Sequence, residues 1–426
     1  MGILSTLKNI FKVKKLRNQL LVTFLILTIF RFTAHIPVPG IDHATLQRLF
    51  SGSAFLSLLD LFSGATLANL SIMALGVNPY INASIILQMM SMVIPQLEKL
   101  REEGQYGQEK INQYTRWLTI PLSIVQSFGL ITLLKSQGIA IISSPLQLIT
   151  IIVTLTTGTL LLTWLGELIT EYGIGNGVSI IIFAGIVGRL PISLFQTTAT
   201  TQARQTTNLL VFAALAIAVI YFVVKITQAQ REITVQYARR SRNQSTPGGQ
   251  MSHLPLRLNQ AGVIPIIFAV SLMLLPSMIG NFLTSVTQPT LANIGYFFAN
   301  QFTPDSFLYN GVYFVLVVAF TFFYTAVVFD PDKSFEKLKK NGGFIPGVRP
   351  GTPTAKYLSY ILTRITAAGA VFLGLIAVLP NLAQQITNIQ SLAIGGTGLL
   401  IVVSVVLETT KDVQAQLVMR NYDKFL

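Results

Sequence analysis

Gly76-Val77-Asn78-Pro79 interrupts one apolar segment of this chain, and Gly262-Val263-Ile264-Pro265 interrupts another in the same way. Glycine and proline both weaken a helix, and unpaired main-chain groups inside a bilayer are tolerated only where protein or a water-filled cavity satisfies them. These are the second and the seventh apolar segments of the chain. Because they are five segments apart, they run through the membrane in opposite directions. The pattern indicates an inverted repeat with a cavity between its halves.

The composition is that of a polytopic membrane protein, because 51% of the 426 residues are hydrophobic and only 11% are charged. Ten apolar stretches have the length, roughly 20 residues, that a membrane-spanning helix needs. They lie near residues 20–36, 72–94, 114–134, 146–168, 178–195, 209–227, 262–282, 309–329, 357–379 and 392–407. The chain has no cysteine, which excludes disulfides, a thiol nucleophile and a cysteine metal site.

The basic residues are concentrated on one side of the predicted membrane. Of the 30 Lys and Arg residues, only Arg31, Arg48, Lys135, Arg189 and Arg204 lie in or beside the segments that face the other way. The positive-inside rule assigns the basic side to the cytoplasm, and an even number of spans places both termini there. Residues 1–17 are basic and amphipathic, which predicts a helix lying on the membrane surface.

Two predicted cytoplasmic loops, residues 228–257 and 330–356, carry more basic residues than a topology signal needs. The positive-inside bias alone accounts for the scattered charges elsewhere. Long basic loops suit an acidic partner, which is either RNA or a protein surface. Arg349 is held between Pro346-Gly347-Val348 and Pro350-Gly351, where the backbone is stiff and the turn is tight. The residues that we predict to bind a partner are Arg239, Arg240, Arg242, Lys339, Lys340 and Arg349.

Several motifs occur in a characteristic order and spacing along nearly the whole chain. They are Leu61-Phe62-Ser63-Gly64, residues 74–86, residues 110–116, Trp164-Leu165-Gly166-Glu167, Gly173-Ile174-Gly175-Asn176-Gly177, residues 259–265, residues 347–351 and residues 395–401. Together they closely resemble the SecY family of protein-conducting channel subunits. The resemblance implies an all-α fold of ten transmembrane helices. Helices one to five, within residues 1–207, would face helices six to ten, within residues 208–426, around an hourglass pore.

The resemblance also implies a ring of six apolar side chains at the narrowest point of the pore. Carried over by motif, the ring consists of Val77, Ile81, Val178, Ile182, Ile267 and Ile401. The repeat supports part of this assignment, since Ile81 and Ile267 each lie two residues after the proline of an interrupted segment. Taken singly and without the motif, any of these residues is better explained by core packing.

A short plug and a lateral gate complete the arrangement that the family implies. The plug would be the segment near residues 55–70, which is too short to span the membrane. The alternative interpretation of this segment is an ordinary re-entrant or interfacial stretch. Its central residues are Leu61, Phe62, Ser63, Gly64 and Ala65. The gate would lie between helices two and three on one side and helices seven and eight on the other. Its polar residues are Asn82, Gln88, Asn259 and Gln260, which either pair across helices or separate to admit a passing segment.

The function that follows from the resemblance is a passive channel for unfolded polypeptides, with lateral release of apolar segments into lipid. No phosphate-binding loop occurs in the sequence, so the energy must come from partners. The family implies a SecA-like motor ATPase or a translating ribosome, which offers both protein and ribosomal RNA, with SecE-like and SecG-like small membrane subunits. Signal sequences, nascent chains and membrane lipids would be the other contacts. The expected location is the bacterial cytoplasmic membrane, with a thylakoid membrane left open.

The sequence also bears on two other classes of membrane protein, secondary transporters and intramembrane enzymes. A secondary transporter also uses inverted repeats, but transporters of charged solutes keep ionisable groups near the midplane, and the predicted midplane contains none. An intramembrane hydrolase or metal enzyme would need catalytic or ligand residues. The three histidines, His35, His43 and His253, lie at a span end or in loops and form no His-Glu-x-x-His motif. We therefore expect neither an enzyme nor a bound cofactor or metal.

Overall fold

The computed structural model describes most of the chain, and helices dominate the described part. It covers residues 13–38, 66–67, 70–136, 144–200, 206–237, 251–284, 288–303, 306–329, 342–387 and 396–422, together with 336, 338 and 340. Within these residues, four helices are long and apolar enough to cross a membrane, and a bent helix pair makes up to five. The four are Lys14–Thr33, Pro145–Tyr172, Phe307–Ala326 and Thr352–Leu379. The protein is therefore a helical membrane protein, while the count of ten spans stays a prediction.

The first group of helices comprises the segments before residue 201. They are α1 (Lys14–Thr33), α2 (Asn78–Val93), α3 (Pro95–Glu102), α4 (Gln105–Ser136), α5 (Pro145–Tyr172) and α6 (Gly177–Thr200). Proline stands in the first turn of α2, α3 and α5, where its missing N–H would have no intrahelical partner in any case. The Ser144 hydroxyl accepts a hydrogen bond from the Gln147 amide at 3.3 Å and so caps α5.

One helix boundary and one bend in this group differ from the prediction. The second span was expected at residues 72–94, but residues 72–77 form turns and α2 begins only at Asn78. At its other end, α2 meets α3 at an angle of 102°. Ile94 joins them in an extended conformation because the residue before a proline avoids helical dihedral angles. Hydropathy alone does not locate either break.

The second group of helices follows residue 205. It consists of α7 (Thr206–Gln228), α8 (Ile264–Thr284), α9 (Pro289–Gln301), α10 (Phe307–Val328), α11 (Thr352–Thr387) and α12 (Gly396–Tyr422). Helix α8 packs on α9 and α10, α10 packs on α11, and α7 and α11 pack on α12. The two groups meet where α8 contacts α2 and α4, and again where α12 contacts α6.

A three-stranded antiparallel sheet joins the two long loops that were predicted to be cytoplasmic. Its strands are β1 (Gln230–Tyr237), β2 (Met251–Arg257) and β3 (Gly343–Phe344), in the order β2-β1-β3. Ile233 pairs with Leu254 on one side of β1, and Gln236 pairs with Phe344 on the other. The all-α prediction omitted this sheet. Alternation is visible in β1, but β3 is two residues long and becomes a strand only through its pairing with β1.

Candidate pore and its cytoplasmic loops

The two interrupted segments share one local structure. Gly76 and Gly262 have φ values of +60° and +64°, a region that glycine enters without the steric cost of a Cβ atom. In each case one residue follows the glycine, the helix then begins, and proline is its second residue. The Ile81 amide donates to the Val77 carbonyl at 3.0 Å, and the corresponding bond from Ile267 to the Val263 carbonyl measures 3.2 Å. The repeated tetrapeptide therefore forms the same helix start twice.

The structure brings the six predicted pore residues into one hydrophobic cluster, to which α2, α6, α8 and α12 all contribute. Five of them are at most 8% exposed, and the sixth, Val178, is half-buried and packs against the others. The five buried residues are Val77, Ile81, Ile182, Ile267 and Ile401. Because Val77 and Ile81 are four residues apart, as are Val178 and Ile182, each pair shares one side of its helix. The cluster therefore contains the whole predicted ring.

Val263 belongs to the same cluster and was not among the predicted residues. It is 4% exposed and lies four residues before Ile267, just as Val77 lies four residues before Ile81. The signal was present in the sequence, because both valines directly follow the glycine of an interrupted segment. The repeat therefore pairs Val77 with Val263 as well as Ile81 with Ile267.

A tight turn between α5 and α6 positions Val178 and Ile182. The Asn176 side chain caps α6 by accepting from the Ser179 amide at 3.1 Å. The Thr170 hydroxyl accepts from the Gly177 amide at 2.9 Å. These bonds determine where α6 starts and in which direction it leaves the turn.

Two further contacts hold this turn against its neighbours. The Thr23 hydroxyl of α1 accepts from the Ile174 amide at 3.2 Å. Gly177 lies so close to the Gly166 carbonyl that a Cβ atom at residue 177 would overlap the carbonyl oxygen. Glycine is therefore required at residue 177 by the close approach of α5 and α6.

The four predicted gate amides do not bond to one another. Gln88 donates to the Ser84 hydroxyl of its own helix at 3.0 Å, and Asn259 donates to the Gly262 carbonyl at 3.1 Å. Asn259 is 5% exposed, and within the described residues its Oδ1 atom has no hydrogen-bond partner. Asn82 and Gln260 are half-buried. An acceptor left unsatisfied in this way costs about 1–3 kcal/mol.

Arg349 is exposed on a turn whose backbone is fixed. Gly347 and Gly351 flank it with φ values of +82° and +127°. The hydroxyl of Thr354, which is 3% exposed at the start of α11, donates to the Arg349 carbonyl at 2.9 Å. Of the other predicted partner-binding residues, Lys340 is exposed. The remaining four lie outside the described residues, namely Arg239, Arg240, Arg242 and Lys339.

The turn that carries Arg349 shares a small hydrophobic core with the other basic loop. Ile233 and Val235 of β1 are buried in this core, and Val348 packs against it next to Arg349. The remaining buried members are Leu256, Ile345, Leu358 and Ile361. The two loops, which the sequence presents as separate, therefore form one packed unit at the start of α11.

Acidic and basic side chains lie close together just beyond residue 407, where the tenth predicted span ends. Burial and then the neighbouring Asp412 carboxylate raise the pKa of the Glu408 carboxyl above its usual value. Burial and then the Arg257 guanidinium lower the pKa of the Lys411 amine. The end of β2 thus lies close to the middle of α12.

Other predictions fall on residues that the structure does not describe. These are the plug residues Leu61, Phe62, Ser63, Gly64 and Ala65, and residues 1–12 of the predicted surface helix. Among the residues that are described, no three His, Asp or Glu side chains are grouped as metal ligands would be.

The fold and the site define a class of protein. It is a helical membrane protein in which two groups of helices meet around a buried apolar cluster, with a basic, partly β-structured unit in the loops. The SecY family model matches residues 71–410, which is most of the chain. The chain belongs to the SecY family.

The similar proteins are bacterial translocase subunits. The protein translocase subunit SecY of Mycobacterium bovis is 42% identical over 434 residues, which cover 96% of this chain and 97% of that protein. SecY of Streptomyces scabiei is also 42% identical, and the alignment covers 99% of this chain and 100% of the relative. These names agree with the prediction of a transport protein and not an enzyme. They favour the channel over the secondary transporter.

Solved structures support the fold at lower sequence identity. A protein-conducting channel superposes with a TM-score of 0.62 at 18% identity, covering 94% of this chain and 92% of that one. A SecY structure whose plug domain stabilises the closed state superposes with a TM-score of 0.63. Sec61 in the canine ribosome–channel complex from the endoplasmic reticulum gives 0.61.

Proposed function

We propose that this protein is a passive protein-conducting channel, which moves unfolded polypeptides across the membrane and releases apolar segments sideways into lipid. The observation that carries this proposal is the burial of the predicted ring in one cluster shared by α2, α6, α8 and α12. Branched aliphatic side chains cannot replace the hydration shell of an ion, so a narrow ring of them opposes ions and water by dewetting. The same side chains form no hydrogen bonds that would hold a passing polypeptide.

The proposed arrangement has ten spans in two inverted halves, residues 1–207 and 208–426, with the plug near residues 55–70. The matching helix starts at Gly76 and Gly262 support the repeat. The plug proposal draws support from the SecY structure in which a plug domain maintains the membrane seal.

The proposed lateral gate opens where α8 meets α2 and α4, with α10 beside α8. Since Asn82, Gln88, Asn259 and Gln260 form no bonds to one another, separating the walls breaks apolar contacts and no amide pair. The unpaired Asn259 Oδ1 gives an entering polar group a hydrogen-bond acceptor at the base of α8. Apolar segments would then leave through this opening into lipid.

The energy for transport is proposed to come from partners that dock on the two basic loops, through Arg239, Arg240, Arg242, Lys339, Lys340 and Arg349. A SecA-like motor ATPase and a ribosome are the partners proposed here, with SecE-like and SecG-like subunits in the membrane. The ribosome-bound Sec61 structure supports the ribosome as a partner to test. Because the similar proteins are bacterial, the proposed location is the cytoplasmic membrane, with both termini in the cytoplasm.

The ring is tested by making two of its members polar. The double variant Ile182→Thr/Ile267→Thr introduces two hydroxyl groups that favour water in the constriction. We expect a higher resting ion conductance in planar bilayers that contain the purified complex. Because threonine also lacks the terminal methyl group of isoleucine, the apolar variant Ile182→Val/Ile267→Val, which matches threonine in shape, separates the effect of polarity from the size of the opening.

A matched double variant controls for general loosening of the core. Ile181→Thr/Ile266→Thr makes the same chemical change one residue away on the same two helices, at positions that are 2% and 0% exposed. Equal leak from the two double variants, or no leak from the first, would count against the ring.

A further inference from the structure

The short helix α9 has a face that the rest of the described structure leaves uncovered. Its 13 residues include no charged side chain. Ile294, Tyr296 and Phe297 are 47%, 56% and 54% exposed, although all three are large and apolar or aromatic. Isolated exposed side chains of this kind are common, but three on a single short helix call for an environment that suits them.

Helix α9 folds back along the end of α8. A Cβ atom at Gly280 would lie 2.7 Å from the Ala299 amide nitrogen, and one at Gly295 would lie 2.6 Å from the Thr284 amide nitrogen. The earlier residue of α8 thus faces the later residue of α9, so the two helices run antiparallel in close contact. Because α8 is an apolar helix, α9 returns alongside it towards the membrane.

The sides of α9 differ in polarity. At 100° per residue, Gly295 and Ala299 occupy the side that packs on α8. Of the exposed residues, Ile294 and Phe297 then form one flank, with Phe297 pointing away from α8, and Asn293 and Asn300 form the other flank together with Tyr296. All of these flanking residues are exposed.

We propose that α9 is an interfacial helix whose Ile294 and Phe297 flank contacts the lipids of the outer leaflet, while Asn293 and Asn300 face water. The inference rests on the proposed membrane arrangement, in which the loop between α8 and α10 is external. No Lys or Arg occurs between residues 258 and 332, so this region offers nothing to an acidic partner or to anionic headgroups. Aromatic rings and an uncharged amphipathic helix are instead suited to the boundary between acyl chains and water.

An interfacial position of α9 would connect lipid contacts to the movement of the proposed gate. Because α9 is packed tightly on α8, a displacement of α8 during opening moves α9 through the interface. The lipid contact of α9 therefore belongs to the moving wall of the gate.

Because this sequence contains no cysteine, a single introduced thiol is the only one in the chain and can be labelled at a chosen residue. Phe297→Cys and Asn300→Cys are each labelled with a nitroxide in the full-length complex, reconstituted into phosphatidylethanolamine–phosphatidylglycerol vesicles. Collision rates with oxygen, which concentrates in lipid, and with a water-soluble nickel chelate are then measured. We expect oxygen to dominate at residue 297 and nickel to dominate at residue 300. The pair Ile294→Cys and Asn293→Cys repeats the comparison if either first variant does not fold.

Two results would overturn the proposal. Nickel accessibility on both flanks would place α9 in water, and exclusion of both reagents at residue 297 would show that a protein partner covers the flank. The measurement does not depend on translocation. A channel that fails to transport polypeptides but gives the expected collision rates would disprove the proposed function and leave the interfacial helix intact.

Discussion

Individual hydrogen bonds decide how Arg349 is presented. Its side chain is exposed, but its carbonyl is bonded to Thr354, and Val348 beside it packs into the core shared with β1. A flexible arginine loses side-chain and backbone entropy when a partner binds it, and a turn that is already ordered reduces this cost. The residue is therefore suited to docking with a partner of opposite charge.

Arg349→Glu should impair partner-driven translocation while the membrane complex still assembles. The substitution reverses the charge at an exposed position. A substitution that removes one partner of a charge pair typically costs about 2–5 kcal/mol of binding free energy when the pair is buried on binding. Translocation into reconstituted vesicles measures the effect, and copurification of the small subunits checks assembly. Full activity of this variant would exclude Arg349 from the docking site.

The bond from Thr354 provides a matched comparison at the same turn. Thr354→Val removes the hydroxyl and keeps the shape, with an expected cost of about 1 kcal/mol in the order of the turn. Thr354→Ser retains the bond. We expect a weaker apparent affinity for the motor or ribosome in the first variant and recovery in the second, with the maximal transport rate little changed.

Two glycines in helices differ in how closely other atoms approach them. Gly177 is enclosed by α5, whereas Gly311 in α10 has no atom within 4 Å of the place where a Cβ would be. The two glycines look alike in the sequence, but only the first is required by packing. A side chain is therefore excluded at residue 177 and allowed at residue 311.

Gly177→Ala should destabilise the protein by about 1–3 kcal/mol, because the added methyl group overlaps the Gly166 carbonyl and the main chain must shift. Gly311→Ala is the control and should be neutral or stabilising by up to about 1 kcal/mol, since alanine favours a helix over glycine. Thermal unfolding in detergent measures both. Similar unfolding temperatures for the two variants would contradict the packing argument.

The sequence predicted which helices exist better than it predicted the residues at which they begin and bend. Gly76 and Gly262 were recognised as breaks because glycine and proline act locally. The start of α2 at Asn78 and the bend at Ile94 needed dihedral angles that hydropathy does not report. The cluster of ring residues came from motif and register together, whereas the bond between Thr23 and Ile174 depends on a tertiary contact. The pairing of Gln236 with Phe344 joins residues more than 100 positions apart, which no local pattern indicates.

At the scale of the whole molecule, the two groups of helices make limited contact with each other. The main contacts join α8 to α2 and α4, and α12 to α6. Near the second of these, Gly175 lies against Thr409 and Asp412. Each group has its own internal packing, and we expect the surfaces that meet to hold the groups together without a covalent link between α6 and α7.

The chain should therefore tolerate a cut between α6 and α7. Two fragments, residues 1–200 and 206–426, expressed together should copurify and retain part of the translocation activity, because the cut leaves the described helices of both groups intact. Copurification through a tag on one fragment measures the association.

A cut after Thr157 provides the contrast. It divides α5 next to Gly158, which lies directly against the main chain of Ile72. We expect these fragments not to assemble. Assembly of both pairs, or of neither, would show that the two groups of helices are not separate packing units.

The sheet between the loops has a mechanical consequence. Strand β2 ends at Arg257, and Leu258, the next residue, donates its amide to the Ala229 carbonyl at 2.9 Å while its own carbonyl lies against Gly369 of α11. Only five residues separate this anchored point from the start of α8. A force applied to the loops is therefore transmitted as a load to the base of α8. A motor or ribosome that pushes on the two loops would thus exert force on α8, a wall of the proposed gate, without contacting the pore.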